Sequence, residues 1–472
     1  MTSHELHVLS AEQKQALLRS VLRKRQEAAA GARMPDYTRQ SYDLFMPGSD
    51  PELSEIRRFN AWVDSTIAAG CYTFETPRHE AQRPENVLVR ENGELLPVVN
   101  MASYNYLGLS YHPEVIQAAK DALDRYGLGV SSSPIAGGTI LLHAELEKAL
   151  VDFLGLPGRG VSLFTTGYNV NTGTLSAIIK PGGHVILDAA AHMSLAEGAQ
   201  LTRGEVHTFA HNDLGDLERI LRSITRSGPA RIMVCAEGAY SSDGDYGDLA
   251  GIAALARRYG AMVLVDEAHS ILVTGPGGRG VAAAQGVLDQ IDFFVITFSK
   301  ALGALGGAVI TRRDIARYIN WYARCRLFSC GLDPAVTGGV LQALRIGAGE
   351  VGEARRMRLR DLAARLRERL RGRVQLVEGE SWIVPVIYGS DERTLLLTDY
   401  MQRAGLETSI VQYPAVPRHL SRMRLFVTSE HSPEQIDRAA EIIVAAARTF
   451  GFALSEGAFA PPDGAPAAGP QG

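Results

Sequence analysis

The chain has 472 residues, and 48 Lys and Arg against 52 Asp and Glu give a formal net charge of −4, which argues against a nucleic-acid binder with its usual basic field. Hydrophobic residues make up 46% and charged residues 21%, the balance of a globular and not of a disordered chain. No apolar run reaches the ~18 residues of a membrane span, the polar start Met1 to Val8 lacks a secretory core, and the four cysteines, Cys71, Cys235, Cys325 and Cys330, lack zinc or redox spacing. No membrane span, metal or disulfide is therefore expected, and the expected setting is a reducing cytoplasm.

Residues 1–50 read as an N-terminal extension and linker. Ser10-Ala11-Glu12-Gln13 has the form of a capping box, and Leu17, Leu18, Val21 and Leu22 make an apolar stripe with Arg19, Arg23, Lys24 and Arg25 around it. That is either a peripheral helix or a docking helix for a partner protein. Residues 51–100 form an N-terminal segment. From 101 to 340 short apolar runs at 161–164, 185–188, 231–236, 262–266, 293–297 and 306–311 alternate with helix-period stretches such as 169–179, 214–224 and 249–259. This is the pattern of an α/β layer with a mostly parallel sheet, whose ligands sit beyond the carboxyl ends of the strands. Residues 341–453 read as a smaller α+β domain. It holds an arginine-rich helix at 353–373, taken as a solvated amphipathic helix, strands at 382–386 and 423–427, and a helix at 433–450. The remainder, 454–472, is rich in Pro, Gly and Ala and reads as a disordered tail.

Lysine occurs only six times, and Lys300 stands apart. It follows the strand 293–297 in Thr297-Phe298-Ser299-Lys300, ahead of small and apolar residues. Desolvation there would lower its pKa and free a nucleophilic amine; the plainer alternative is a lysine that snorkels to solvent. Asp266 ends the strand 262–266 and would face the ligand crevice. Asp266-Glu267-Ala268-His269 also has the form of an ATPase Walker B box, but none of the six lysines follows a glycine, so no phosphate loop accompanies it. Gly275 to Gly280 matches GxGxxG away from a strand end and reads as a structural loop. Thr165-Thr166-Gly167-Tyr168-Asn169 joins a strand to a helix, either as a phosphate cradle or as an ordinary cap. His192 follows the strand 185–188. A Schiff-base lysine, an aspartate for a pyridine nitrogen, a phosphate cradle and a flat ring cover are what pyridoxal phosphate (PLP) requires of a protein.

The chain resembles the α-oxoamine synthase family of fold-type I PLP enzymes over roughly residues 95–450. The resemblance rests on Ala102-Ser103-Tyr104-Asn105-Tyr106-Leu107-Gly108-Leu109, Thr166-Gly167-Tyr168, Glu237-Gly238-Ala239-Tyr240-Ser241, Val265-Asp266-Glu267-Ala268-His269-Ser270, Thr297-Phe298-Ser299-Lys300, Pro414-Ala415-Val416-Pro417 and Arg422-Met423-Arg424-Leu425. It implies a large PLP-binding domain and a small C-terminal domain. Lys300 would carry PLP and move the substrate's α-proton, Asp266 would pair with the pyridinium nitrogen, and His192 would stack on the ring. His269 and Ser241 would lie near the phenolic oxygen. Thr166, Gly167, Tyr168 and Thr297 would hold the phosphate, with Ser329 reaching it from a neighbouring subunit, which implies a homodimer. Arg424 and Tyr104 would bind the substrate, a guanidinium being suited to a carboxylate.

The implied reaction is decarboxylative condensation of a small amino acid with an acyl thioester. The chain departs from some members at Gln412, where they carry a second arginine. Its opening, Leu9 to Leu18, resembles linkers of megasynthase proteins and suggests an acyl carrier protein as donor in place of free CoA. The alternatives are an aminotransferase on the same fold and a non-catalytic binding protein.

Overall fold

A computed structural model describes residues 53–413 and 415–454. The capping box and stripe at 10–22, the linker after them and the tail from 455 lie outside the described residues. The strands are β1 (Glu85–Val89), β2 (Leu95–Met101), β3 (Arg159–Phe164), β4 (His184–Asp188), β5 (Glu205–Phe209), β6 (Ile232–Glu237), β7 (Met262–Asp266), β8 (Phe293–Thr297), β9 (Gly307–Arg312), β10 (Gln375–Leu376), β11 (Ile383–Gly389), β12 (Leu406–Val411) and β13 (Ser421–Phe426).

The first sheet runs β3-β9-β8-β7-β6-β4-β5. β9 is antiparallel to β3 and β8, and the other pairs are parallel. Successive strand residues point to opposite faces, and the two faces fill two cores. Leu187, Cys235, Leu264 and Val295 pack with Leu175 of the helix Gly167–Ile178 and Leu195 of the helix Met193–Leu201. Ile186, Val234, Val265 and Ile296 pack with Leu217 of the helix Leu214–Arg226 and Ile252 of the helix Leu249–Tyr259. Covered on both faces, these strands tolerate apolar residues at every position, which is why they read as continuous runs.

The second sheet runs β1-β2-β12-β13-β11-β10. β2 pairs with β12 in parallel and the other pairs are antiparallel. Its strands come from both ends of the described chain: the hairpin 85–101, which the sequence suggested as a segment of its own, sits in one sheet with strands from 375–426. The helix Glu350–Leu370 begins and ends three residues earlier than expected and buries Leu359, Leu362, Leu366 and Leu370. It is more than a solvated helix. Arg356 and Arg367 are buried and donate to backbone carbonyls, Arg356 to Leu272 and Gly347, Arg367 to Val377, Ser381 and Ile383. No helix among the described residues is long and apolar enough to cross a membrane.

Candidate active site

β3, β4, β6, β7 and β8 all end at one edge of the first sheet, because β3 and β8 are each antiparallel to β9 and so run the same way. The residues after those ends converge there. Lys300 sits in the turn after β8, where its carbonyl accepts from Gly303 N at 2.8 Å. Burial lowers its ammonium pKa from 10.5 to about 8, against the upward pull of Asp266 and Glu237 and with a further push down from Arg424. The amine makes no side-chain hydrogen bond among the described residues, so it is free to react once deprotonated.

Asp266, the last residue of β7, is buried. Asn171 Nδ2 donates to its Oδ2 at 2.7 Å and Ala268 N to its Oδ1 at 2.9 Å. Asn171 also donates to Ser194 Oγ at 2.9 Å, which in turn lies 2.8 Å from His192 Nδ1. A polar chain thus links the carboxylate to the histidine. The backbone N–H of His192 donates to Glu237 Oε1 at 2.5 Å. Glu237 ends β6 and is buried; desolvation and the nearby Asp266 charge raise its pKa to about 8, against Lys300.

His269 is buried, with Nδ1 2.6 Å from the Tyr106 hydroxyl. Burial and then the charges of Lys300 and Arg424 hold its pKa well below 6.5, so the ring is neutral. With the tyrosine donating to Nδ1, the ring proton sits on Nε2 and is available to an acceptor.

Thr166 caps the helix Gly167–Ile178, its Oγ1 accepting from Asn169 N at 3.1 Å. The first-turn amides of Gly167 and Tyr168 have no acceptor within the helix. A Cβ on Gly167 would lie 2.3 Å from Thr297 Oγ1, so only glycine lets this turn close on the threonine. Backbone N–H groups and a hydroxyl at a helix N-terminus suit a phosphate. The Tyr168 ring stands edge-on to His192 at 6.2 Å, and burial and Glu197 raise its phenol pKa to about 12.

From the second sheet, Arg424 on β13 donates to Ser409 Oγ at 2.9 Å, the Tyr104 hydroxyl at 3.4 Å and the Ser241 carbonyl at 3.4 Å. Its guanidinium lies 5.1 Å from the Phe426 ring centre, and its Nε is buried without a partner among the described residues. Arg422, two residues earlier, is committed to Asp243 and the Leu420 carbonyl. Ser329 follows the helix Arg324–Leu327, half-buried beside a narrow recess shared with Thr165. Gln412 is buried just after β12.

The amine, the held carboxylate, the glycine-closed cradle and the partnerless guanidinium N–H form a donor set that fits PLP and an amino-acid carboxylate. The chain matches the Aminotransferase class I and II family over residues 97–443. It is 35% identical over 417 residues to serine palmitoyltransferase of Sphingomonas paucimobilis, covering 86% of this chain and 97% of that one. It is also 35% identical over 346 residues to 8-amino-7-oxononanoate synthase of Salmonella arizonae, covering 73% and 88%. Among solved structures, Sphingomonas wittichii serine palmitoyltransferase aligns with a TM-score of 0.78 at 31% identity, covering 85% of this chain and 99% of that one. A high-resolution structure of SPT with the PLP internal aldimine aligns with a TM-score of 0.77 at 33% identity, covering 84% and 98%.

The chain belongs to the class I and II aminotransferase family, in its α-oxoamine synthase branch. It is a PLP-dependent enzyme. Bound PLP supplies an electron sink for a carbanion at the substrate's α-carbon. Three residues in contact with these side chains were met first in the structure. Glu237 and Tyr106 lie inside motifs the sequence flagged, yet neither has a role assigned there. Asn171 sits in the second turn of a helix and carries no sequence signal. The glycine loop 275–280 stands apart from the site: Glu267 accepts from Val281 N and Ala282 N, and a Cβ on Gly280 would meet its carboxylate at 2.6 Å.

Proposed function

We propose that this α-oxoamine synthase joins a small α-amino acid to an acyl thioester. A carbon–carbon bond forms between the α-carbon and the acyl carbonyl, the thioester C–S bond breaks, and the amino-acid carboxylate leaves as CO2, giving an α-amino ketone and a free thiol. Lys300 Nζ takes the α-proton and is the acid that returns one. Asp266 holds positive charge on the cofactor nitrogen, His192 covers the ring, and His269 with Ser241 attends the phenolic oxygen. Thr166, Gly167, Tyr168 and Thr297 hold the phosphate, and Arg424 and Tyr104 orient the substrate. The observation that carries this reading is the depressed Lys300 amine beside buried Asp266, with Arg424 set across from them on the other sheet.

The reading includes a homodimer in which Ser329 of the partner subunit completes the phosphate site. Exposed Trp321, Tyr322 and Phe328, at 61%, 55% and 83%, flank that loop and support a covered surface. In this reading residues 101–340 form the PLP-binding unit and 341–453 the smaller one. The four free thiols support a reducing cytoplasm. The proposed donor is a thioester of CoA or of an acyl carrier protein, and the sequence from Leu9 to Leu18 supports the carrier protein.

The test is an absorption titration of purified protein with glycine, alanine and serine, followed by thioester donors, free and carrier-bound. A saturable spectral response to one amino acid, with CO2 released only after thioester is added, is expected. Lys300→Ala abolishes the CO2 release. Turnover persisting in that variant would sink the assignment, and a pyridoxamine form accumulating without thioester would make the chain an aminotransferase. Sedimentation at twice the chain mass is expected; a monomer with full activity would remove Ser329 from the site.

A further inference from the structure

The parallel register of β4 and β5 sets His184 beside Glu205 and Ile186 beside His207. Paired residues share a face of a sheet, and so do residues two apart on a strand. His184, Glu205 and His207 therefore project from one face, and β5 is the last strand of its sheet. They sit where β4 and β5 begin, at the opposite end of β4 from Asp188 and away from the edge that carries Lys300.

The potential ligand atoms converge. His184 Nδ1 is 3.1 Å from His207 Nε2 and 3.5 Å from Glu205 Oε2, and His207 Nε2 is 3.9 Å from the same oxygen. A triangle with those sides has a point about 2 Å from all three atoms, the usual Zn–N and Zn–O bond length. Among the described residues this is the one group of three or more His, Cys, Asp or Glu close enough to share an ion.

We propose that His184, Glu205 and His207 bind a borderline divalent transition ion, Zn2+ foremost, which clasps the edge strand β5 to β4. Two imidazoles and one carboxylate favour such an ion over Mg2+ and Ca2+, which take oxygen ligands. The side chains are 14%, 70% and 29% exposed in that order, so an ion reaches them directly and water fills the fourth position. The expectation of no metal rested on cysteine spacing. Here the ligands lie on two strands, and only strand pairing brings them together.

The test uses untagged holoprotein stripped with a chelator, titrated with ZnCl2 by calorimetry in a non-coordinating buffer and followed by thermal unfolding. One equivalent per chain and a raised unfolding midpoint are expected, with no effect of Mg2+ at the same concentration. His207→Ala and Glu205→Gln each weaken zinc binding at least tenfold, and His79→Ala, an exposed histidine elsewhere, leaves it unchanged. Co2+ gives visible tetrahedral absorption in the parent chain and none in His207→Ala. Zinc bound equally by parent, His207→Ala and Glu205→Gln, or no stoichiometric binding to the parent, overturns the proposal. If His207→Ala fails to fold, Glu205→Gln carries the test, because that side chain is mostly in solvent.

Discussion

The ammonium of Lys300 is held near pH 8 by opposing effects: burial and Arg424 push it down, while Asp266 and Glu237 pull it up. Glu237 has its own midpoint near 8, so the two titrate as a pair. In apo-protein only the neutral amine captures PLP. The capture rate, read by visible absorbance, should climb through pH 8 in a broadened profile. Glu237→Gln should leave a single step at lower pH, because the carboxylate that favours the ammonium is gone; an unmoved profile would remove Glu237 from the pair. Arg424 and Arg422 are separable at the same scale. Arg424→Ala should weaken amino-acid binding by roughly 1.5–3 kcal/mol, the worth of a charged hydrogen bond, as measured by the spectral dissociation constant. Arg422→Ala should leave that constant within a few-fold and lower the unfolding midpoint instead, because it removes the tie to Asp243. The opposite pattern would exchange their roles.

At the scale of elements, the phosphate cradle depends on how closely the helix Gly167–Ile178 approaches the end of β8. Gly167→Ala places a methyl within 3.0 Å of three Thr297 side-chain atoms, so the helix start must back away. PLP affinity measured by equilibrium dialysis should fall at least tenfold with the far-ultraviolet spectrum unchanged; parent-like affinity would show the turn to be compliant. The same elements show what could be read in advance. β7 and β8 were legible to the residue because buried parallel strands are continuous apolar runs, and Asp266, Thr297 and Lys300 came with them. β5, Glu-Val-His-Thr-Phe on a sheet edge, is largely exposed and has no such run. β6 extends one residue past the apolar run, and that residue is Glu237. Asn171 acquires its role only when its helix packs over β7, which no local pattern encodes.

For the whole molecule, the join between chain ends carries an acid-sensitive group. His431 is fully buried; its Nε2 lies 3.1 Å from the Asn100 carbonyl in β2, and its Nδ1 accepts from Thr428 N at 3.0 Å. Burial lowers its pKa from 6.5 to about 4. The unfolded chain therefore binds a proton first as pH falls, and stability present above pH 6.5 is lost down to about pH 4. That loss is on the order of 3 kcal/mol, because each tenfold difference in proton affinity between the folded and unfolded chain is worth ~1.4 kcal/mol. Denaturant unfolding at pH 7 and pH 4.5 should show a smaller pH effect in His431→Gln than in the parent; an equal effect would place the acid sensitivity elsewhere.

The pairing of β2 with β12 also sets an order of events on the ribosome. Leu406, Glu407 and Thr408 pair with Val99, Asn100 and Met101, so about 300 residues must be made before β2 meets its partner. At about 5–20 residues per second the β1–β2 hairpin waits roughly 15–60 s with one edge uncovered while the seven-stranded sheet takes shape beside it. Slowing translation late in the message, between the codons for β9 and β12, should lengthen that wait and raise the chain's dependence on chaperones that shield strand edges.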